Sequence, residues 1–128
     1  MKGLAIAVLL ACVLLCGAAK KKKQLSIQVM ETSARRGEET ISLDGRVRNS
    51  GDRPIQKLIL LFDFIAPGGA VISTQQFPVE ESVLEPGTDT VFRAKLNDNV
   101  RAVRYRVGAT DSVGREFLVS NPGPYVIE

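Results

Sequence analysis

The 128-residue sequence predicts an all-β fold, an antiparallel β-sandwich of about seven strands behind an N-terminal signal segment. Three observations predict it. From Gln24 onward, apolar and polar residues alternate with a period of two, the pattern of strands with one buried face. Turn residues, chiefly glycine, proline and asparagine, separate these runs. No window combines a helical apolar repeat with a helix cap.

The first nineteen residues, MKGLAIAVLLACVLLCGAA, have the order of an export signal: Lys2, an apolar run over 4–15, then Cys16, Gly17, Ala18 and Ala19 as small residues for cleavage. As a helix, residues 4–19 would span roughly 24 Å. That falls short of the hydrocarbon core of about 30 Å, so a cleaved signal is expected, with an uncleaved anchor as the alternative. Both cysteines of the chain, Cys12 and Cys16, lie here. The domain that follows can form no disulfide and must be held by its core. VLLCG around Cys16 and LLAC around Cys12 resemble lipoprotein processing sites, which makes Cys16 a candidate for lipidation.

Lys20, Lys21, Lys22 and Lys23 form a basic leader. The net charge of +3 includes these four lysines and Lys2; without those five, the rest of the chain carries −2. The basic character therefore belongs to the leader, which can contact anionic head groups at about 1 kcal/mol per lysine. With one acyl chain it would complete a two-part membrane anchor.

Strands are expected over 24–33, 39–48, 55–66, 70–77, 88–96, 101–110 and 115–120. In QLSIQVMET, Leu25, Ile27 and Val29 share a face; in TISLDGRVRNS, Ile41, Leu43, Gly45 and Val47 do. In TVFRAKL the inward set is Phe92, Ala94 and Leu96, and in RAVRYRVGA it is Val103, Tyr105, Val107 and Ala109. Phe62, Phe64, Phe92 and Tyr105 are the expected large core residues, each burying about 150–250 Å². Gly45 within a strand predicts a bulge or a close backbone approach. Asn49 and Gly51 suit the left-handed positions of a turn, and Pro86-Gly87 suits a type II turn. Residues 24–120 form one expected domain, and 121–128 a C-terminal tail that docks or frays.

Residues 40–119 resemble the bacterial FxLYD-type domain and related immunoglobulin-like modules of cell-envelope proteins. The residues that carry the likeness are Gly45-Arg46-Val47-Arg48-Asn49-Ser50-Gly51, Phe62-Asp63, Gly68-Gly69, Leu84-Glu85-Pro86-Gly87 and Phe92. The stretch nearest to the Phe-x-Leu-Tyr-Asp string that names the family, which is not intact in this chain, is Leu60-Leu61-Phe62-Asp63. The resemblance implies an immunoglobulin-like sandwich and a non-enzymatic role. Its motifs are turn and core residues, which specify fold rather than chemistry.

The chain has no histidine, so imidazole bases and ligands are excluded. No catalytic residue, metal ligand or cofactor site is expected. Glu38-Glu39 and Glu80-Glu81 are neighbours in sequence and would point to opposite faces of a strand. Asn97-Asp98-Asn99 lacks the surrounding loop of a calcium site. Asp63 is expected to pair with Arg104 or Arg106 across strands.

Two surfaces remain as candidates. Arg46, Arg48, Arg93 and Lys95 would share one outer face if the second and fifth expected strands are neighbours. Ile59 and Leu61 have the outward phase of a strand that is apolar on both sides. Either a neighbour such as Leu118 covers them, or they form a partner surface. The expectation is an exported, periplasmic or secreted interaction or structural module in the bacterial cell envelope. Its partner would be an unidentified envelope protein, not nucleic acid. The alternative is a lipid-anchored or peripheral membrane-surface binder that uses the lysine leader and the arginine face.

Overall fold

The computed structural model of the chain describes residues 26–98 and 101–128. The signal segment, Cys16, and the leader lysines Lys20, Lys21, Lys22 and Lys23 lie outside the described residues.

The described residues form ten strands in chain order: β1 (Ser26–Arg36), β2 (Thr40–Asn49), β3 (Ile55–Gln56), β4 (Ile59–Ile65), β5 (Val71–Pro78), β6 (Val83–Leu84), β7 (Asp89–Asn97), β8 (Arg104–Thr110), β9 (Leu118–Ser120) and β10 (Tyr125–Val126). Two four-stranded sheets, β7-β2-β1-β9 and β10-β8-β4-β5, make the sandwich, and β3 with β6 forms a small ribbon. Each of the seven expected strands is present, though the boundaries shift. The strand expected over 55–66 is broken at Lys57, whose φ of 55° turns the chain. Its first half, β3, leaves to pair with β6. The segment 121–128 docks: β10 pairs antiparallel with β8, and Glu128 exchanges backbone hydrogen bonds with Ala34 and Arg36.

The alternation seen in the sequence sorts the core. Ile27, Val29, Ile41, Leu43 and Val47 come inward from the first sheet, and Leu60, Phe62, Phe64, Tyr105 and Val107 from the second. Phe62 sits at the centre, with ring centroids 5.7 Å from Phe92 and 6.4 Å from Tyr105. The Tyr105 hydroxyl, inside the sandwich, bonds Thr32 Oγ1 at 2.8 Å, which satisfies a buried polar group. Burial raises the Tyr105 pKa above its ordinary value.

The register of β1 against β2 shifts between Val29 and Glu31, a β-bulge that the strict alternation of the sequence concealed. Before it Ile27 and Val29 face the core; after it Ala34 does. Gly45 lies opposite Thr32 beside this bulge. A Cβ on Gly45 would fall 2.4 Å from the Glu31 carbonyl oxygen and 2.5 Å from the Phe92 ring. The close approach expected from a glycine inside a strand is therefore present, and the bulge lies on its partner strand.

Asn49 works differently from the expectation. Neither it nor Gly51 has a positive φ; among non-glycine residues described, Lys57 and Asn121 do. Asn49 is fully buried and holds the turn with its side chain. Its Nδ2 donates to Arg53 O at 2.8 Å and Leu84 O at 2.9 Å, and its Oδ1 accepts from Gly51 N at 3.0 Å. Three backbone groups thus find partners at the end of the sandwich where β3 and β6 cover the core.

Candidate functional site

The outer face of the first sheet gathers the arginines, because β2 and β7 are antiparallel neighbours. Asp44 lies opposite Arg93, Ser42 opposite Lys95, Arg46 opposite Val91, and Arg48 opposite Asp89. Arg46, Arg48, Arg93 and Lys95 therefore share the expected face, but acids alternate with the bases. Arg48 Nε meets Asp89 Oδ1 at 2.6 Å, and Arg46 lies 3.6 Å from Asp89 and 3.0 Å from Glu31. Arg93 lies 3.9 Å from Asp44. The hydrogen bond from Arg48, then the charges of Arg48 and Arg46, hold the Asp89 carboxyl below its ordinary pKa against partial desolvation. The surface is a charge lattice of mixed sign, not a cationic patch. A concavity of about 560 Å³ lies over it, lined by Glu31, Asp44, Gly45, Arg46, Val91 and Arg93 among others. Asp44 and Asp89 could have been found in the sequence, since both share the outward phase of the arginines. Glu31 could not, because the bulge brings it there.

The outer face of the second sheet carries Ile59 and Leu61. Both have the outward phase of β4, and both are half-buried. Leu61 lies between Gln76 of β5 and Gly108 of β8. A Cβ on Gly108 would stand 3.6 Å from the Leu61 Cβ, so a missing side chain leaves that flank of Leu61 open. Leu118 does not cover either residue. It is 59% exposed and belongs to β9, which pairs with β1 in the opposite sheet. Ile59 instead borders an apolar depression of about 330 Å³, with Leu58, Pro78 and Val79 on its walls and Lys57, Glu80 and Glu81 at its rim. Further along β4, Asp63 accepts a hydrogen bond from Thr74 Oγ1 at 2.7 Å and lies 3.9 Å from Arg106. Of the two arginines expected opposite Asp63, Arg106 is the one in register.

A buried carboxylate, too, carries no mark in the sequence pattern. Asp111 is 4% exposed. Burial opposes its charge, yet the Arg115 N–H at 3.0 Å, the Arg115 side chain at 2.7 Å and the Val113 N–H at 3.1 Å all donate to it. The balance lowers its pKa. This is a loop clamp, and the carboxylate's oxygens are occupied by its own turn.

No protein-family model matches the chain, and no curated protein matches it. Among solved structures, IrmA from Escherichia coli is similar at a TM-score of 0.52 and 14% identity, with 84% of this chain and 99% of that chain covered. A β-glucosidase from Kluyveromyces marxianus is similar at a TM-score of 0.40 and 16% identity over 83% of this chain and 15% of the enzyme. The likeness to IrmA supports the β-sandwich fold; neither likeness carries chemistry.

Proposed function

We propose that the chain is an exported, non-enzymatic immunoglobulin-like module of the bacterial cell envelope, periplasmic or secreted, that binds a protein partner. The binding surface is the outer face of β4, centred on Ile59 and Leu61. One observation carries the reading: two large aliphatic side chains stand on the solvent side of a central strand, one beside a glycine and one beside an apolar depression. Such a surface gains free energy when covered. The FxLYD-like residues agree with an envelope role. The membrane-surface alternative is weakened by the pairing of Arg46, Arg48 and Arg93 with acids, which leaves Lys95 and the leader lysines to carry it.

The test is site-specific photocross-linking in the producing cells, with the photoreactive residue at Leu61 or, as a control on the other sheet, at Val91. The reading expects one dominant adduct from position 61 and none from 91, and its loss on Ile59→Asp in a chain that still folds. No adduct at 61, or equal adducts at both positions, would overturn it. Cell fractionation with intact-mass measurement tests the location. A mass beginning near Lys20 in a soluble fraction agrees with export, and a diacylated Cys16 in the membrane fraction would make the module membrane-anchored.

A further inference from the structure

The two long strands at the open edges of the sandwich are guarded differently. β7 ends the first sheet and β5 ends the second. An edge strand leaves every second backbone N–H and C=O without a partner, and proteins usually protect it with charge. Which groups are open follows from one hydrogen bond in each ladder. Asn49 N–H donates to Thr88 O at 3.0 Å, so Thr90, Phe92, Ala94 and Leu96 of β7 bond to β2 and the alternate residues face outward. Those are Asp89, Val91, Arg93 and Lys95, three of them charged. Val79 N–H donates to Leu58 O at 3.0 Å. By the same alternation Ser73, Gln75 and Phe77 bond to β4, and Thr74, Gln76 and Pro78 turn their backbone to the open edge. Here nothing is charged. From Phe64 to Val79 the sequence FIAPGGAVISTQQFPV contains no Asp, Glu, Lys or Arg.

The open groups of β5 are complementary to themselves. We propose that β5 pairs antiparallel with β5 of a second copy about a two-fold axis at Gln75. The two second sheets would then join into one continuous sheet. In that register residues whose positions add to the same sum face each other, so Thr74 meets the partner's Gln76 and Gln75 meets the partner's Gln75. Thr74 and Gln76 are the residues whose N–H and C=O are open, and each such pair exchanges two hydrogen bonds. Gln75, already bonded to β4, falls at a position that needs none. Pro78 cannot donate and ends the pairing. The side chains that meet, Thr with Gln and Gln with Gln, carry no like charges. The same operation on β7 about Arg93 would set Arg93 against Arg93, which disfavours that edge. An isologous two-fold contact of this kind closes at the dimer. The edge adjoins the face of Ile59 and Leu61, since Gln76 lies beside Leu61, but it rests on backbone pairing and is read by mass, so its failure is distinguishable from that of the proposed partner surface.

The experiment is sedimentation velocity on the chain as its host processes it, over a concentration series, with two proline variants. Gln76→Pro removes a donor that the β4 ladder does not use; Gln75→Pro removes one that it does. The wild type is expected to move from monomer to dimer mass with concentration. Gln76→Pro is expected to remain monomeric with its thermal unfolding close to wild type, whereas Gln75→Pro loses thermal stability. In a third variant, Gln75→Cys, the paired Cα atoms would lie about 4.5 Å apart, within disulfide range. Oxidation should give a dimer whose cross-link maps to residue 75 on both copies. A wild type that stays monomeric throughout, a dimer that survives Gln76→Pro, or a failure of residue 75 to cross-link would each overturn the proposal.

Discussion

Replacing Gly45 by alanine adds a methyl group at a point already enclosed by other atoms. The new Cβ would stand 2.4 Å from the Glu31 carbonyl oxygen and 2.5 and 2.7 Å from two carbons of the Phe92 ring. Ordinary contact needs about 1 Å more in each direction. The carbonyl belongs to the bulge of β1, which is fixed by pairing on both sides. The ring is 2% exposed and packs on Phe62. If the bulge yields, the cost is that of overpacking, about 1–3 kcal/mol. If the ring is expelled, the loss approaches that of a deleted core phenylalanine, about 3–5 kcal/mol. At about 4–8 °C per kcal/mol for a domain of this size, even a loss of about 2 kcal/mol lowers the melting temperature by roughly 8–16 °C. Thermal unfolding followed by circular dichroism measures this, with Gly68→Ala as control, since nothing lies within 4 Å of a Cβ there. The control should be neutral or stabilised by less than about 1 kcal/mol. Adding Phe92→Leu should recover part of the Gly45→Ala loss, because the two residues share one space. A Gly45→Ala protein within about 0.5 kcal/mol of wild type would refute the close packing argued for this site.

Three further outcomes follow from the same structure. Asn49→Ala should lose on the order of 3 kcal/mol, because the Arg53 and Leu84 carbonyls and the Gly51 N–H lose their partner; urea unfolding checks it, and Asn49→Asp, which sets a carboxylate against two carbonyls, should lose more. Phe62→Ala should cost about 3–5 kcal/mol by the same assay, since its ring contacts both Phe92 and Tyr105. The lowered pKa of Asp111 means that the folded state holds this proton less tightly than the unfolded state. The resulting stability is complete above the unfolded carboxyl value of about 3.9 and is lost as pH falls through the lower folded value. Stability measured from acid to neutral pH should therefore fall less steeply below about pH 4 in Asp111→Asn than in wild type.

The sequence made the sandwich legible because each sheet buries one face, and a period of two then writes the inward residues directly. Phe62, Phe64, Phe92 and Tyr105 are all core residues, as their phase required. The features that did not show are those in which a single residue breaks the period. The bulge in β1 moves Ala34 into the core and Glu31 beside Arg46, and a reading that continued the alternation of Ile27 and Val29 could not anticipate it. Lys57 is a poor signal for a left-handed turn, so the break between β3 and β4 was hidden inside one apolar run. β10 is two residues long and follows a proline-glycine stretch, which reads locally as an end rather than as an edge strand. On the surface, phase correctly grouped the arginines, but charge balance depends on cross-strand register. Asp44 and Asp89 neutralise the face only once β2 and β7 are aligned.

The docking of Glu128 has a mechanical consequence. Ser26 opens β1, whereas Glu128 is bonded to Ala34 and Arg36 near the other end of the same strand. The two positions are therefore separated by roughly 30 Å of extended backbone, parallel to the strands. Tension applied between them loads the β1–β2 and β1–β9 ladders at one end, and the Glu128 bonds and the short β10–β8 pairing at the other, along the strands rather than across them. Hydrogen bonds loaded in that direction must fail together instead of one after another. A tether on the N-terminal side and a load on the C-terminal side would thus meet the sandwich in its stiff direction.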